Sequence, residues 1–167
     1  MQAGWNRAVP REVPRPGAAR RRPDHAQPAR PEPGAGAPRP VPPRADHFAE
    51  QGGEVFAGTH VLLDLWGARH LDDAAWIERA MRRAVDVAGA TLLHIHLHRF
   101  GDGGGVTGVA VLAESHISVH TWPERGFAAF DVFMCGGCRP DLAAEALRSA
   151  LAPERSEMTV ERRGVVA

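Results

Sequence analysis

The sequence predicts an α+β fold: a largely antiparallel sheet with its helices grouped on one face. Two observations carry that expectation. Segments with strand or helix character follow the order strand, helix, four strands, helix, strand. All of them lie after residue 45, leaving roughly 120 residues for one core.

The first 45 residues have a different composition. They hold 11 of the 14 prolines and carry nine Arg against three acidic side chains. Such Pro/Arg/Ala-rich sequence buries too little apolar surface to offset its ordering entropy, so 1–45 reads as a disordered tail. Its single aromatic, Trp5, and its lack of regular spacing give no nucleic-acid signature. A solvated tail, or a start codon placed too far upstream, accounts for it. Residues 46–167 are expected to form a single domain, and no internal repeat divides it.

Thr59–Trp66 is β-rich and reads as the first strand. Asp72 or Asp73 caps a helix to about Ala88, where Gly89 stops it. Thr91–Phe100 is a second strand. Gly101-Asp102-Gly103-Gly104-Gly105 reads as a mobile loop. Val106–Ala113, His116–Trp122 and Gly126–Met134 are three further strands. Pro140 fits the first turn of a helix to about Leu151, and Ser156–Arg162 closes with a short strand.

The composition excludes several chemistries. The chain has no Lys and no Tyr. Without Lys there is no internal Schiff base for pyridoxal phosphate (PLP), and no lysine of a phosphate-binding loop. A catalytic Tyr is likewise excluded. Two cysteines, Cys135 and Cys138, are too few for a secreted disulfide scaffold. No run of 18 apolar residues is present to span a membrane, and the first residues lack the continuous apolar stretch expected of a signal peptide. A cytoplasmic protein with no membrane partner is the default expectation.

The densest polar stretch is Glu114–Gly136, ESHISVHTWPERGFAAFDVFMCG. Ser115 and His120 would face each other across a tight corner, and Cys135 would return beside them on the next strand. A hydroxyl, an imidazole and a thiol at one sheet end are the parts of nucleophilic catalysis. The alternative is a buried hairpin with a few satisfied polar groups.

The chain resembles the short prokaryotic S-adenosylmethionine decarboxylase proenzymes. The likeness runs from about Gly58 to Gly164. It includes Asp64, the turn at 88–91, His98-Arg99-Phe100, the segment at 105–109 and Glu-Arg-Arg-Gly at 161–164. The ESH, HTWPE and CG motifs of 114–136 are its most specific part. The resemblance implies self-cleavage at Glu114–Ser115 into a 1–114 β chain and a 115–167 α chain. Ser115 would become a pyruvoyl group, which forms a Schiff base with the substrate's α-amine. That carbonyl takes the electron-sink role that the missing lysine denies to PLP. By the same resemblance His120 serves processing and Cys135 donates the proton that replaces carbon dioxide. Glu124 would accept the ribose hydroxyls, and Phe100 would stack on adenine. The implied product is the aminopropyl donor for spermidine, within polyamine biosynthesis. The implied assembly is a homodimer in an αββα four-layer sandwich, with no metal required.

Two features depart from the family pattern. Thr107 stands where Ser is usual, keeping the processing hydroxyl but restricting its rotamer. The glycine loop after Phe100 is one residue longer, which bears on the substrate. A pyruvoyl-dependent ornithine or arginine decarboxylase on the same scaffold is therefore the nearest rival, with Asp102 as a candidate reader of a cationic side chain. A rival of another class is a metal-binding protein using His94, His96 and His98, which alternate along one strand. A third is a relative whose proenzyme never cuts. Cys138 completes a lone CxxC with Cys135, and a disulfide between them would remove the proton donor.

Overall fold

The computed structural model describes residues 47–166, so the expected tail lies outside the described residues. In chain order the elements are β1 (Ala49–Gln51), β2 (Glu54–Phe56), β3 (Gly58–Trp66), α1 (Ala74–Ala88), β4 (Leu92–Arg99), β5 (Val106–Leu112), β6 (Ser115–Trp122), a 3-10 turn (Pro123–Arg125), β7 (Phe127–Met134), α2 (Pro140–Leu151) and β8 (Arg155–Arg163). Strands β3–β8 form one sheet in the order β4-β5-β6-β7-β3-β8, and every neighbouring pair is antiparallel. The expected α+β architecture is the observed one.

The helices begin and end where their chemistry directs. The Asp73 carboxylate accepts from the Trp76 N–H at 2.9 Å, which satisfies a free donor of the first turn of α1. Gly89 ends α1 in the left-handed region at φ 70°. Pro140 opens α2, where its missing N–H costs nothing.

One face of the sheet and the two helices make the core. Val61, Leu63 and Leu65 of β3, Ile117 and Val119 of β6, and Phe130 and Val132 of β7 pack against Ile77, Met81, Ala84, Leu147 and Leu151. The alternate residues of the same strands form the other face, which no helix covers among the described residues. Leu62, Val111 and Trp122 there are 40%, 40% and 41% exposed. A polar chain also lies on it: the Ser118 hydroxyl donates to Asp131 at 2.9 Å, and His60 Nε2 lies 3.2 Å from the other Asp131 oxygen.

The sequence reading did not include the β1–β2 hairpin. Gly52 and Gly53 make its turn, both at positive φ (64° and 80°), a conformation that glycine adopts without steric cost. The hairpin is fastened to the end of β8 through Ala57 N–H to Arg163 and Val166 N–H to Val55.

Thr121 is the only buried polar side chain among the described residues. Its hydroxyl donates to the Leu71 carbonyl at 2.6 Å and accepts from the Val106 N–H at 2.7 Å. It therefore ties the segment before α1 to β5 and β6. Thr121→Val keeps the shape and strands both backbone groups. Urea unfolding should show a loss of about 1–3 kcal/mol; an unchanged midpoint would mean that solvent satisfies those groups.

Candidate active site

The polar residues singled out in the sequence separate into two groups at opposite ends of the open face. At one end, β5 turns through Ala113 and Glu114 into β6. Ser115 pairs across the sheet with Met134, so Cys135, the next residue, lies beside Glu114. The Cys135 N–H donates to the Glu114 carbonyl at 3.1 Å. A donor on this oxygen polarises the Glu114–Ser115 peptide and would stabilise negative charge there.

The peptide is also strained. Ser115 has φ 143°, a region that non-glycine residues rarely occupy and that costs about 1–3 kcal/mol. In a regular strand Ser115 and His116 would point to opposite faces. Here the Ser115 hydroxyl and His116 Nδ1 share a hydrogen bond of 3.0 Å, with the proton's place set by the tautomer. Sequence reasoning about this segment did not find that contact, because only the irregular φ permits it.

Thr91 holds the corner at two points. Its N–H donates to the Glu114 carboxylate at 2.9 Å, and its carbonyl accepts from the Ala113 N–H at 3.0 Å. Burial alone would raise the Glu114 carboxyl. The Thr91 hydrogen bond, Glu114's own backbone and the nearby His47 outweigh it and hold the group below its ordinary value.

The second group is at the other end. Thr107 and His120 are cross-strand partners, and Thr107 Oγ1 and His120 Nδ1 share a hydrogen bond of 2.8 Å. Phe100 follows β4 and Glu124 sits in the turn after β6, so both border this end. Both are exposed, Phe100 at 59%. The Phe100 ring meets His98 edge-on at 4.8 Å. The loop after it is closed by the Phe100 N–H donating to the Gly105 carbonyl at 2.9 Å. Gly104 is required there, since a Cβ would stand 1.5 Å from the Phe100 oxygen.

One expectation needs correction. Ser115, His120 and Cys135 do not meet at one sheet end within this chain. Ser115 and His120 lie on one continuous strand, five residues and so about 16 Å apart. The imidazole at Ser115 is His116. His94, His96 and His98, the residues of the rival metal-binding reading, are exposed on β4, and among the described residues no group of three His, Cys, Asp or Glu is placed to hold a metal ion.

Residues 59–164 match the family model described as S-adenosylmethionine decarboxylase. A protein of Methanococcus maripaludis named S-adenosylmethionine decarboxylase proenzyme is 46% identical over 112 residues, covering 65% of this chain and 91% of that protein. Proteins of the same name from Pyrobaculum aerophilum and Thermomicrobium roseum are 49% and 42% identical over 110 residues. They cover 64% and 65% of this chain, and 88% and 95% of their own. The crystal structure of the adenosylmethionine decarboxylase from Aquifex aeolicus superposes with a TM-score of 0.62 at 37% identity, covering 67% of this chain and 94% of that one.

The Thr91–Glu114 contact generates a test of whether it positions the corner. Glu114→Gln keeps an oxygen for the Thr91 N–H, and Glu114→Ala does not. If the chain cuts itself as those proenzyme names imply, the Ala variant should cut about 10-fold or more slowly. The Gln variant should stay near the parent rate. Equal rates for parent and Ala, followed by denatured mass over time, would show that the contact is irrelevant to cleavage.

Proposed function

This chain belongs to the S-adenosylmethionine decarboxylase family, and we propose that it cuts itself at Glu114–Ser115 and decarboxylates S-adenosylmethionine with the pyruvoyl group so made. The observation that carries this reading is the strained Ser115 peptide, with a hydrogen-bond donor already on its carbonyl and an imidazole on its hydroxyl. Its intended use is an acyl shift within one residue pair.

In the first step the Ser115 oxygen attacks the Glu114 carbonyl carbon, and His116 takes the hydroxyl proton. Charge gathers on the Glu114 oxygen, where the Cys135 N–H receives it. The C–N bond breaks, the Ser115 nitrogen gains a proton, and an ester replaces the amide. Relief of the Ser115 backbone strain favours this direction. A base next removes the Ser115 α-proton, and the Glu114 carboxylate leaves. Water then replaces the nitrogen, which departs as ammonia.

The fit of the prosthetic group rests on the strained serine corner, since Ser115 is both its source and its anchor. The pyruvoyl carbonyl supplies an electron sink for carbon dioxide loss from an α-amino acid. The Cys135 thiol, held beside that position by its own backbone, returns the proton.

His120 is the base proposed for the α-proton, with Thr107 orienting its ring. Because these two, Phe100 and Glu124 stand at the far end of the face, a second copy must supply them. A two-fold arrangement lays one open face on another and brings the Ser115 end of each against the His120 end of its partner. It also covers Leu62, Val111 and Trp122 and gives the αββα sandwich. In that site Glu124 accepts the ribose hydroxyls and Phe100 stacks on the base. The product is the aminopropyl donor of spermidine formation.

Denatured mass and a carbon dioxide assay test this reading. The expected result is two pieces, 1–114 and 115–167, with a blocked, carbonyl-reactive terminus on the shorter. Ser115→Ala should remain whole, and Cys135→Ala should lose about 100-fold or more of the carbon dioxide release. Label should leave carboxyl-labelled S-adenosylmethionine and not ornithine or arginine. A whole chain of 18.0 kDa from the parent sequence would contradict the proposal.

A further inference from the structure

We propose that Cys135 and Cys138 are a modification site: a hydroperoxide joins them in a disulfide that a thiol reductant reopens, switching decarboxylation off and on. The regulatory part rests on Cys135 acting as the proton donor.

The turn geometry carries the inference. Both thiols are free and half-buried. Gly136 and Gly137 form a tight turn between them. The ends of such a turn lie within about 7 Å, overlapping the Cα separation of disulfides, about 4.4–6.8 Å. Outside the turn the backbone is fastened. The Cys135 N–H holds the Glu114 carbonyl, and the Arg139 N–H holds the Ala88 carbonyl at 3.0 Å. Between these anchors the Gly136 N–H also holds the His47 carbonyl at 2.9 Å, so Gly137 is the residue left to adjust. A Cβ on Gly137 would meet nothing within 4 Å, and one on Gly136 would reach only the His47 oxygen at 3.9 Å.

The two thiols have different surroundings. The Cys138 sulfur lies 3.7 Å from the Gly89 carbonyl, a weak contact that costs little to break. Burial, then the Glu114 carboxylate and Cys135, push the Cys138 thiol up, so it stays protonated at neutral pH. With Cys135 as the thiol that meets peroxide, Cys138 resolves the product. The Cys135 sulfur breaks the O–O bond, taking one oxygen as sulfenic acid and releasing water. The Cys138 sulfur then displaces that oxygen as a second water. Two electrons pass from the thiols to the peroxide, and both thiol protons end in water.

The test treats the full-length protein with hydrogen peroxide, blocks free thiols with iodoacetamide and reads denatured mass. Both cysteines lie in 115–167 and the chain has no others, so the readout is the same for cut and uncut chains. The expected result is two blocked thiols before peroxide and none after, with the mass lower by two hydrogens. Carbon dioxide release should fall about 100-fold and return with reductant. Cys138→Ser should keep the basal activity, but excess peroxide should carry its unresolved Cys135 past sulfenic acid to sulfinic acid, which reductant does not restore. Two thiols still free after peroxide, a disulfide between chains, or equal recovery of parent and Cys138→Ser would overturn the proposal. A reversible disulfide in a protein that releases no carbon dioxide when reduced would overturn only the decarboxylase reading.

Discussion

The hydrogen bond from the Cys135 N–H to the Glu114 carbonyl is the contact on which the rest of the site depends. It exists because β6 and β7 pair up to Ser115 and Met134, which brings the next residue of one strand against the preceding residue of the other. The same pairing leaves Ser115 at φ 143°, pinned between a sheet ladder and the Thr91 anchor. Core burial supplies the free energy that holds this corner, since Ile117, Val119, Val132 and Met134 on either side are all buried. A strained peptide of this kind persists only where its surroundings over-determine it.

A second constraint follows from strand geometry. A continuous strand cannot bring its two ends together, so one copy of the chain divides the proposed machinery. Ser115, His116 and Cys135 occupy one end of the open face, and Thr107, His120, Phe100 and Glu124 the other. The uncovered apolar residues between the two ends are the surface that a second copy would bury. Dimerisation and catalysis are thus one requirement in this proposal. The pairing that buries Leu62 and Val111 is also the one that completes the site.

Much of the fold was legible in the sequence because its signals are local. The alternation of Val61, Leu63 and Leu65 with His60, Leu62 and Asp64 marks a one-sided strand. Asp73, Gly89 and Pro140 mark the helix ends with their own chemistry. The β1–β2 hairpin escaped notice because three-residue strands hold too little alternation to see, although Gly52–Gly53 was its turn signal. In the site, the return of Cys135 to the start of β6, beside Glu114, was legible from strand lengths. The placing of His120 was not, because the residues between it and Ser115 carry no local signal that separates a straight strand from a corner. His116 was missed for the opposite reason: its contact depends on one irregular backbone angle that no residue type announces. Thr91 was missed because it acts through its backbone.

The most direct measurement is complementation between two uncut variants. A tagged His120→Ala chain and an untagged Ser115→Ala chain are expressed together, and the tagged chain is followed by mass. Neither should cut alone. If His120 serves Ser115 of its partner, the tagged chain should cut when paired, because the Ser115→Ala copy lends it an intact imidazole. A tagged chain that stays whole in a mixed dimer would contradict the shared site and confine processing to groups within one chain.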